Sequence, residues 1–185
     1  MGWCGGGGSA MPIIRFATVN TDLGQFGLAA SDAGLRAVAL PGADLRRRLL
    51  SGFADGLAVE DPAYLMDLAD RLRAYCGGAL VSFDDLTLDV VGTPFQLAVW
   101  GATRSIPRGQ TRSYGQIAAQ VGRPGAARAV GAAQGANPGP IVVPCHRVVG
   151  SDGALRGFGG GLPLKARLLV LEGLGAYSRQ YPAVP

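Results

Sequence analysis

The apolar residues of this chain change their repeat at Gly92-Thr93-Pro94, and that change constrains the fold more than any other feature. Before it they come in short alternating runs; after it they recur at helical spacing. Ile13–Val19, Gln25–Ala30 and Leu35–Leu40 are β-type runs separated by Thr21-Asp22-Leu23-Gly24 and Ser31-Asp32-Ala33-Gly34, the spacing of a small antiparallel meander. In 62–75, Leu65, Leu68, Ala69 and Leu72 share one helical face, with Asp61 as N-cap before Pro62. Val81–Val91 alternates again and is expected as a further strand.

Beyond the break, Thr93 caps a helix that starts at Pro94 and runs through Phe95, Leu97, Ala98, Val99 and Trp100. Ile106-Pro107-Arg108-Gly109 ends it. Ser113 caps a second helix from about Tyr114 to Val121, Gly122-Arg123-Pro124-Gly125 turns tightly, and Ala126 to Gln134 forms an alanine-rich helix carrying Arg128. Two helices joined by a glycine turn in a basic region form the helix-turn-helix pattern, although an ordinary αα-hairpin reads the same way. Asn137-Pro138-Gly139-Pro140 breaks the helix, and a glycine-rich loop at 157–161 precedes a last helix over about Pro163–Leu171. The fold class expected is α/β, of the α+β kind. Its segments are a flexible leader (1–11), an α/β domain with an antiparallel sheet (12–91), a mainly helical domain (92–175) and a tail (176–185).

With 48% hydrophobic residues the chain can bury a core. No apolar run approaches the roughly 20 residues of a membrane helix. Met1–Ala10 has a glycine run but no basic stretch followed by an apolar core, so it is not a secretion signal. A cytoplasmic protein is expected. Its three cysteines, Cys4, Cys76 and Cys145, have no paired spacing and no disulfide framework, and a single histidine leaves no four-ligand zinc set. Cys4 and Cys76 are expected to be incidental.

The net charge of +4 is unevenly spread. Up to Val91, seven arginines face eleven acids, a net of −4; from Gly92 onward, nine arginines and Lys165 face only Asp152 and Glu172, a net of +8. A positive second half suits a polyanion partner.

Cys145 ends the apolar run Ile141-Val142-Val143 and sits beside the only histidine, His146. A cysteine acts as a nucleophile through its thiolate, which needs a nearby base. Adjacent side chains point apart, so a bridging water is expected between them. Glu172, one of two acids in this half, is the candidate to orient the imidazole. Taken alone, the adjacency would equally suit a buried, inert cysteine.

Pro144-Cys145-His146-Arg147-Val148-Val149 resembles the active-site signature of the O6-alkylguanine-DNA alkyltransferases. The resemblance continues in order through Gly92-Thr93-Pro94-Phe95-Gln96, Val99-Trp100, Ile106-Pro107-Arg108-Gly109, Ser113-Tyr114-Gly115-Gln116-Ile117-Ala118 and Ala127-Arg128-Ala129-Val130-Gly131. It extends through Asn137-Pro138, Gly159-Gly160-Gly161, Lys165 and Leu168-Leu169-x-x-Glu172-Gly173. The segment before Val91 is similar more loosely.

The resemblance implies a ribonuclease H-like first domain and a winged-helix-like second one. It implies DNA repair by direct reversal: irreversible, stoichiometric transfer of an alkyl group from O6-alkylguanine, and from O4-alkylthymine, onto Cys145, with no cofactor and no metal. The partner implied is double-stranded DNA carrying the lesion, bound by a monomer, with cooperative binding along DNA left open and no membrane involved. The reacting carbon lies inside a base stack, so the nucleotide must be flipped out. Arg128 would fill the vacancy from the minor groove, and Ala126, Ala127, Ala129 and Gly131, with Ser113 and Tyr114 nearby, would let the helix approach the backbone.

Tyr114 would donate its phenol to the flipped base. Carbonyls at Cys145 and Val148 would accept from the guanine amino group, Asn137 would brace the turn, and Lys165 would support the site. Pro140, Phe158, Gly159 and Gly160 would wall the alkyl pocket. Phe158 stands where many relatives carry tyrosine, so no hydroxyl reaches O6 from that side. Three cysteines make no four-cysteine zinc module, and no phosphotriester-sensing domain is expected. Two rivals predict reversible DNA binding instead: a non-catalytic lesion binder of the same fold, whose members replace the nucleophile, and a helix-turn-helix regulator, which would not need Cys145, His146 and Glu172.

Overall fold

The computed structural model describes residues 11–53 and 56–179. The expectations for Met1–Ala10, for Cys4 and for 180–185 lie outside the described residues.

The meander forms as the turn spacing predicts. Strands β1 (Ile13–Thr21), β2 (Gly24–Ser31) and β3 (Gly34–Ala39) pair antiparallel in sequence order. A fourth strand, β4 (Leu57–Glu60), adds to β1 in parallel, giving the order β3-β2-β1-β4. Gly34 is fixed by space as well as by its φ of +145°: a Cβ there would lie 2.5 Å from the Thr87 carbonyl oxygen. Between β3 and β4 lies a short helix, α1 (Leu45–Leu50).

Two local expectations are corrected. Val81–Val91 is not a strand. It touches the sheet at one bridge, Leu35 to Leu88, where Leu35 N–H donates to Thr87 and Asp89 N–H donates to Leu35. The carbonyls of Phe83, Asp84 and Leu86, which a ladder would need, accept instead from the Arg104 guanidinium. The helix expected over 62–75 starts later, at Met66, and forms α2 (Met66–Cys76). The Asp61 carboxylate accepts from the Tyr64 N–H and closes a separate turn, so it does not cap the helix.

The second half follows its capping signals. α3 (Pro94–Arg104) and α4 (Tyr114–Gln120) each begin with a reciprocal capping box, Thr93 with Gln96 and Ser113 with Gln116. α5 (Ala127–Gly135) follows the glycine turn and is tied to α3 by the Trp100 indole, which donates to the Ala133 carbonyl at 2.8 Å. A two-residue pair, β5 (Arg112–Ser113) with β6 (Val148–Val149), links the start of α4 to the segment after Cys145. α6 (Gly161–Leu171) closes the architecture, followed by a 3-10 turn at Gly175–Arg179.

The two halves share a core. Phe26, Leu28, Leu68, Leu72 and Tyr75 from the first pack with Ile141, Val142, Leu164 and Leu168 from the second. Arginines reinforce the junction. Arg108 donates to the carbonyls of Gly78, Ala79 and Leu171, and its guanidinium lies 5.4 Å from the centre of the Tyr75 ring. The end of α2 is thereby held against the residue preceding Glu172.

Candidate active site

Cys145 opens a 3-10 turn, Cys145–Arg147, at the end of the buried run Ile141–Val143. Three features aim it. The Asn137 amide donates to the Val143 carbonyl at 2.8 Å, while its oxygen accepts from the Gly139 N–H at 3.0 Å, bracing the turn from α5. The Val143 N–H closes back onto Gly139 at 2.7 Å. Ile141, a β-branched residue, is held at φ +78°, a strained conformation of the kind that clusters at functional sites.

The thiol lines a cavity of about 260 Å3 whose walls include Asn137, Pro140, Phe158 and Gly159 of the sequence-predicted set. That volume lies just below the range of drug-sized pockets and suits one small planar group. Gly131 and Gln134 complete the α5 side, and Leu40, from the end of the meander, closes the opposite one. Burial raises the Cys145 thiol above its ordinary value, against a hydrogen bond from Asn137 and the charge of Lys165, which lower it. At rest the sulfur therefore keeps its proton, and reaction needs a base.

The candidate for that base is the next residue in the chain. His146 is fully buried, with Nε2 3.0 Å from Glu172 Oε1. Glu172 also accepts from Arg147 Nε at 2.8 Å, from Arg147 Nη2 at 2.7 Å and from the Tyr75 hydroxyl at 2.6 Å. Burial alone would raise this carboxyl, but the bonds from His146 and Arg147 outweigh it and hold Glu172 well below the usual carboxylate range. An ionised Glu172 can only accept, so His146 Nε2 carries the ring proton and Nδ1 the lone pair, an assignment from the hydrogen-bond pattern. Nδ1 is buried and has no hydrogen-bond partner in the protein. Burial lowers the His146 pKa against the pull of Glu172, which keeps the ring neutral with its lone pair at Nδ1.

Lys165 is buried too. Its ammonium donates to the carbonyls of Val148 at 2.7 Å and Arg156 at 3.1 Å, and burial brings its pKa down to about 8, opposed by the attraction of the Cys145 sulfur in its thiolate form. The two carbonyls expected to meet the guanine amino group are each engaged once: Cys145 O by the Val148 N–H, Val148 O by Lys165. A carbonyl has two lone pairs, so each keeps one. The Val148 side chain itself belongs to the core, and Gly160 lies behind the cavity, where a Cβ would meet Leu164 at 2.5 Å.

Tyr114, half-buried at the start of α4, packs its ring beside Gly131 and lies 5.9 Å from the Lys165 ammonium. Burial, then the negative charge Cys145 carries as a thiolate, raise its pKa, so the phenol stays protonated. The Ser113 hydroxyl is committed to capping α4, accepting from Gln116 N–H at 3.1 Å. On α5 and its N-cap residue Ala126, Arg128, Ala129 and Ala132 are exposed and Ala126, Ala127 and Gly131 half-buried, so one arginine stands on an otherwise smooth face outside the cavity.

Sequence reasoning missed Tyr75, Arg147 and Leu40. Arg147 adjoins His146 in an acid-poor segment, a signal that was there to read. Tyr75 and Leu40 sit in ordinary apolar patterns that only folding brings to the site.

A helix-turn-helix whose braced loop presents a buried cysteine to a small cavity, backed by a His–Glu pair, defines a class: a DNA-facing protein with a nucleophilic thiol. Residues 94–174 match the family described as 6-O-methylguanine DNA methyltransferase, DNA binding domain. The methylated-DNA–protein-cysteine methyltransferase of Mycobacterium tuberculosis is 55% identical over 112 residues, 60% of this chain and 67% of that protein. The Salmonella typhimurium protein of the same name is 58% identical over 106 residues, 57% of this chain and 62% of its own. The crystal structure of Mycobacterium tuberculosis OGT in complex with DNA superposes with a TM-score of 0.72 at 42% identity, covering 86% of this chain and 92% of that one. The chain belongs to the methylated-DNA–protein-cysteine methyltransferase family of DNA-repair enzymes.

Proposed function

We propose that this protein removes the alkyl group from O6-alkylguanine in duplex DNA by accepting it on Cys145, acting once as a monomer in the cytoplasm. Residues 12–91 serve as the scaffold that supplies Tyr75 and Leu40, and 92–175 as the unit that binds DNA and reacts. One observation carries the reading: the thiol of Cys145 lines a cavity and is followed by a histidine whose tautomer leaves a lone pair on the unpartnered Nδ1.

In this reading Arg128 enters the stack from the minor groove as the lesion swings out, with the small α5 face against the backbone and Ser113 near it. The cysteine proton passes to His146 Nδ1 through one water, and the imidazolium is stabilised by Glu172. The sulfur attacks the alkyl carbon, the C–O6 bond breaks, and Tyr114 and Lys165 support the departing base with a proton and a positive charge. The product is a thioether, which no group around the site is equipped to cleave. A non-catalytic lesion binder would have no use for a thiol with a buried relay behind it.

The test is a titration. Increasing protein is added to a fixed amount of duplex carrying O6-methylguanine, and the lesion remaining is measured. The account predicts one lesion lost per protein molecule and none with Cys145→Ala. Turnover beyond one equivalent, or undiminished repair by the variant, would overturn it.

A further inference from the structure

The segment from Cys145 to the glycine loop carries one exposed cation, Arg156. The residue before it, Leu155, is buried in a cluster with Val149, Ala166 and Leu169. The Arg156 carbonyl is tied down at 3.1 Å by the Lys165 ammonium, the same group that holds Val148. The backbone at 156 is thus fixed to the site while its guanidinium stands in solvent. That guanidinium pairs with Asp152 through Nη2 at 2.7 Å, the two side chains being 54% and 58% exposed. An ion pair so open to water is weak and readily exchanged. Asp152 does not depend on it either, because its other oxygen accepts from the Ala154 N–H at 3.1 Å.

Arg156 stands beside the mouth of the thiol's cavity. Gly157 is an exposed part of the cavity wall, and nothing lies within 4 Å of a Cβ built on it, so the wall reaches the surface there. The charge of Arg156 is also felt at Tyr114, whose pKa burial and a Cys145 thiolate raise and Arg156 draws down. A cavity of about 260 Å3 has room for a base but not for the sugar and phosphates attached to it. The strand carrying an extruded nucleotide must therefore cross the mouth with its phosphates outside.

We propose that Arg156 exchanges Asp152 for a phosphate flanking the flipped nucleotide and clamps the strand while the base sits in the cavity. The inference rests on the alkyl transfer proposed above and leaves the chemistry at the sulfur unchanged. A guanidinium suits the task, because its paired N–H groups match two oxygens of one phosphodiester. The task differs from that of Arg128, which fills the stack the base has left. Arg156 acts on the strand after the base has swung out, and so lengthens the time that the alkyl carbon spends in front of the sulfur.

The test pairs a change in the protein with a change in the DNA. Single-turnover methyl transfer is measured for the wild type and Arg156→Gln, which removes the charge and keeps a polar side chain. The substrates are three duplexes carrying one O6-methylguanine: unmodified, with a neutral methylphosphonate on the 5′ side of the lesion, or with one on its 3′ side. On the unmodified duplex the variant should be slower by about tenfold. Neutralising one of the two linkages should cost the wild type about as much, and on that duplex the two proteins should agree within about twofold. Two results overturn the clamp while leaving the proposed reaction intact: a variant as fast as the wild type on the unmodified duplex, or the same ratio of rates on all three duplexes. An action of Arg156 through Tyr114 or through the folding of the loop would produce the second. Absence of methyl transfer by the wild type from the unmodified duplex would sink the reaction itself, and the clamp with it.

Discussion

Glu172 receives four hydrogen bonds, and the balance among them sets how basic His146 is. Burial pushes the imidazole pKa down while the carboxylate pulls it up. Since the net direction is down, His146 stays neutral below its ordinary value, and the acid limb of the transfer rate should fall below about pH 6.5. Two substitutions should move that limb in opposite directions. Glu172→Gln removes the group that raises the His146 pKa, so the limb shifts to lower pH and the rate falls on the order of 10- to 100-fold. Tyr75→Phe takes one donor from the carboxylate and leaves it a stronger acceptor for His146, so the limb shifts to higher pH while the rate falls about tenfold. A merely structural role for Tyr75 would cost stability and leave the limb in place. Cys145, His146 and Glu172 were legible in the sequence because the second half contains one histidine and two acids. Tyr75 was not, because Glu172 lies 97 residues away along the chain and only the packing of α2 brings the two together.

At the scale of elements, the capping boxes made α3 and α4 legible, since Thr93-Pro94 with Gln96 and Ser113 with Gln116 satisfy the first turn locally. The same holds for the meander, whose turns lie in the sequence. β4 left no signal because all four of its residues are exposed and its backbone pairing to β1 needs no alternation. Val81–Val91 gave a false one: its alternation is real, but Arg104 takes the carbonyls that a strand would have used. For α4 and α5, the arrangement places Arg128 away from the thiol's cavity. Arg128→Ala should therefore slow repair in a duplex by about 10-fold or more, while leaving reaction with free O6-benzylguanine within about twofold. Equal losses on the two substrates, read as second-order rate constants, would take away its flipping role.

Across the whole molecule, the charge asymmetry in the sequence divides into two uses. Arg104, Arg108 and Arg147 are consumed by carbonyls and Glu172, Arg156 pairs with Asp152, and Arg167 donates to the Asp22 carbonyl. Arg104, Arg108 and Arg167 reach carbonyls of the first half and hold the halves together, whereas Arg147 and Arg156 pair within the second, a division that no residue count could show. Arg123 and Arg128 are exposed, on the turn and helix that would face DNA. Arg123→Ala should lower the slope of log affinity against log salt by about one unit, whereas Arg73→Ala, on the far side of the chain's charge division, should leave it unchanged. A slope identical in both variants would remove Arg123 from the DNA contact. The claim on which all of this rests is that the sulfur of Cys145 is the atom that takes the alkyl group. Intact-mass and peptide mass spectrometry after incubation with a duplex containing O6-methylguanine tests it most directly. The account predicts a single added methyl group, located on the peptide that contains Cys145; an unchanged mass, or a methyl group on Cys76 or any other residue, would contradict it.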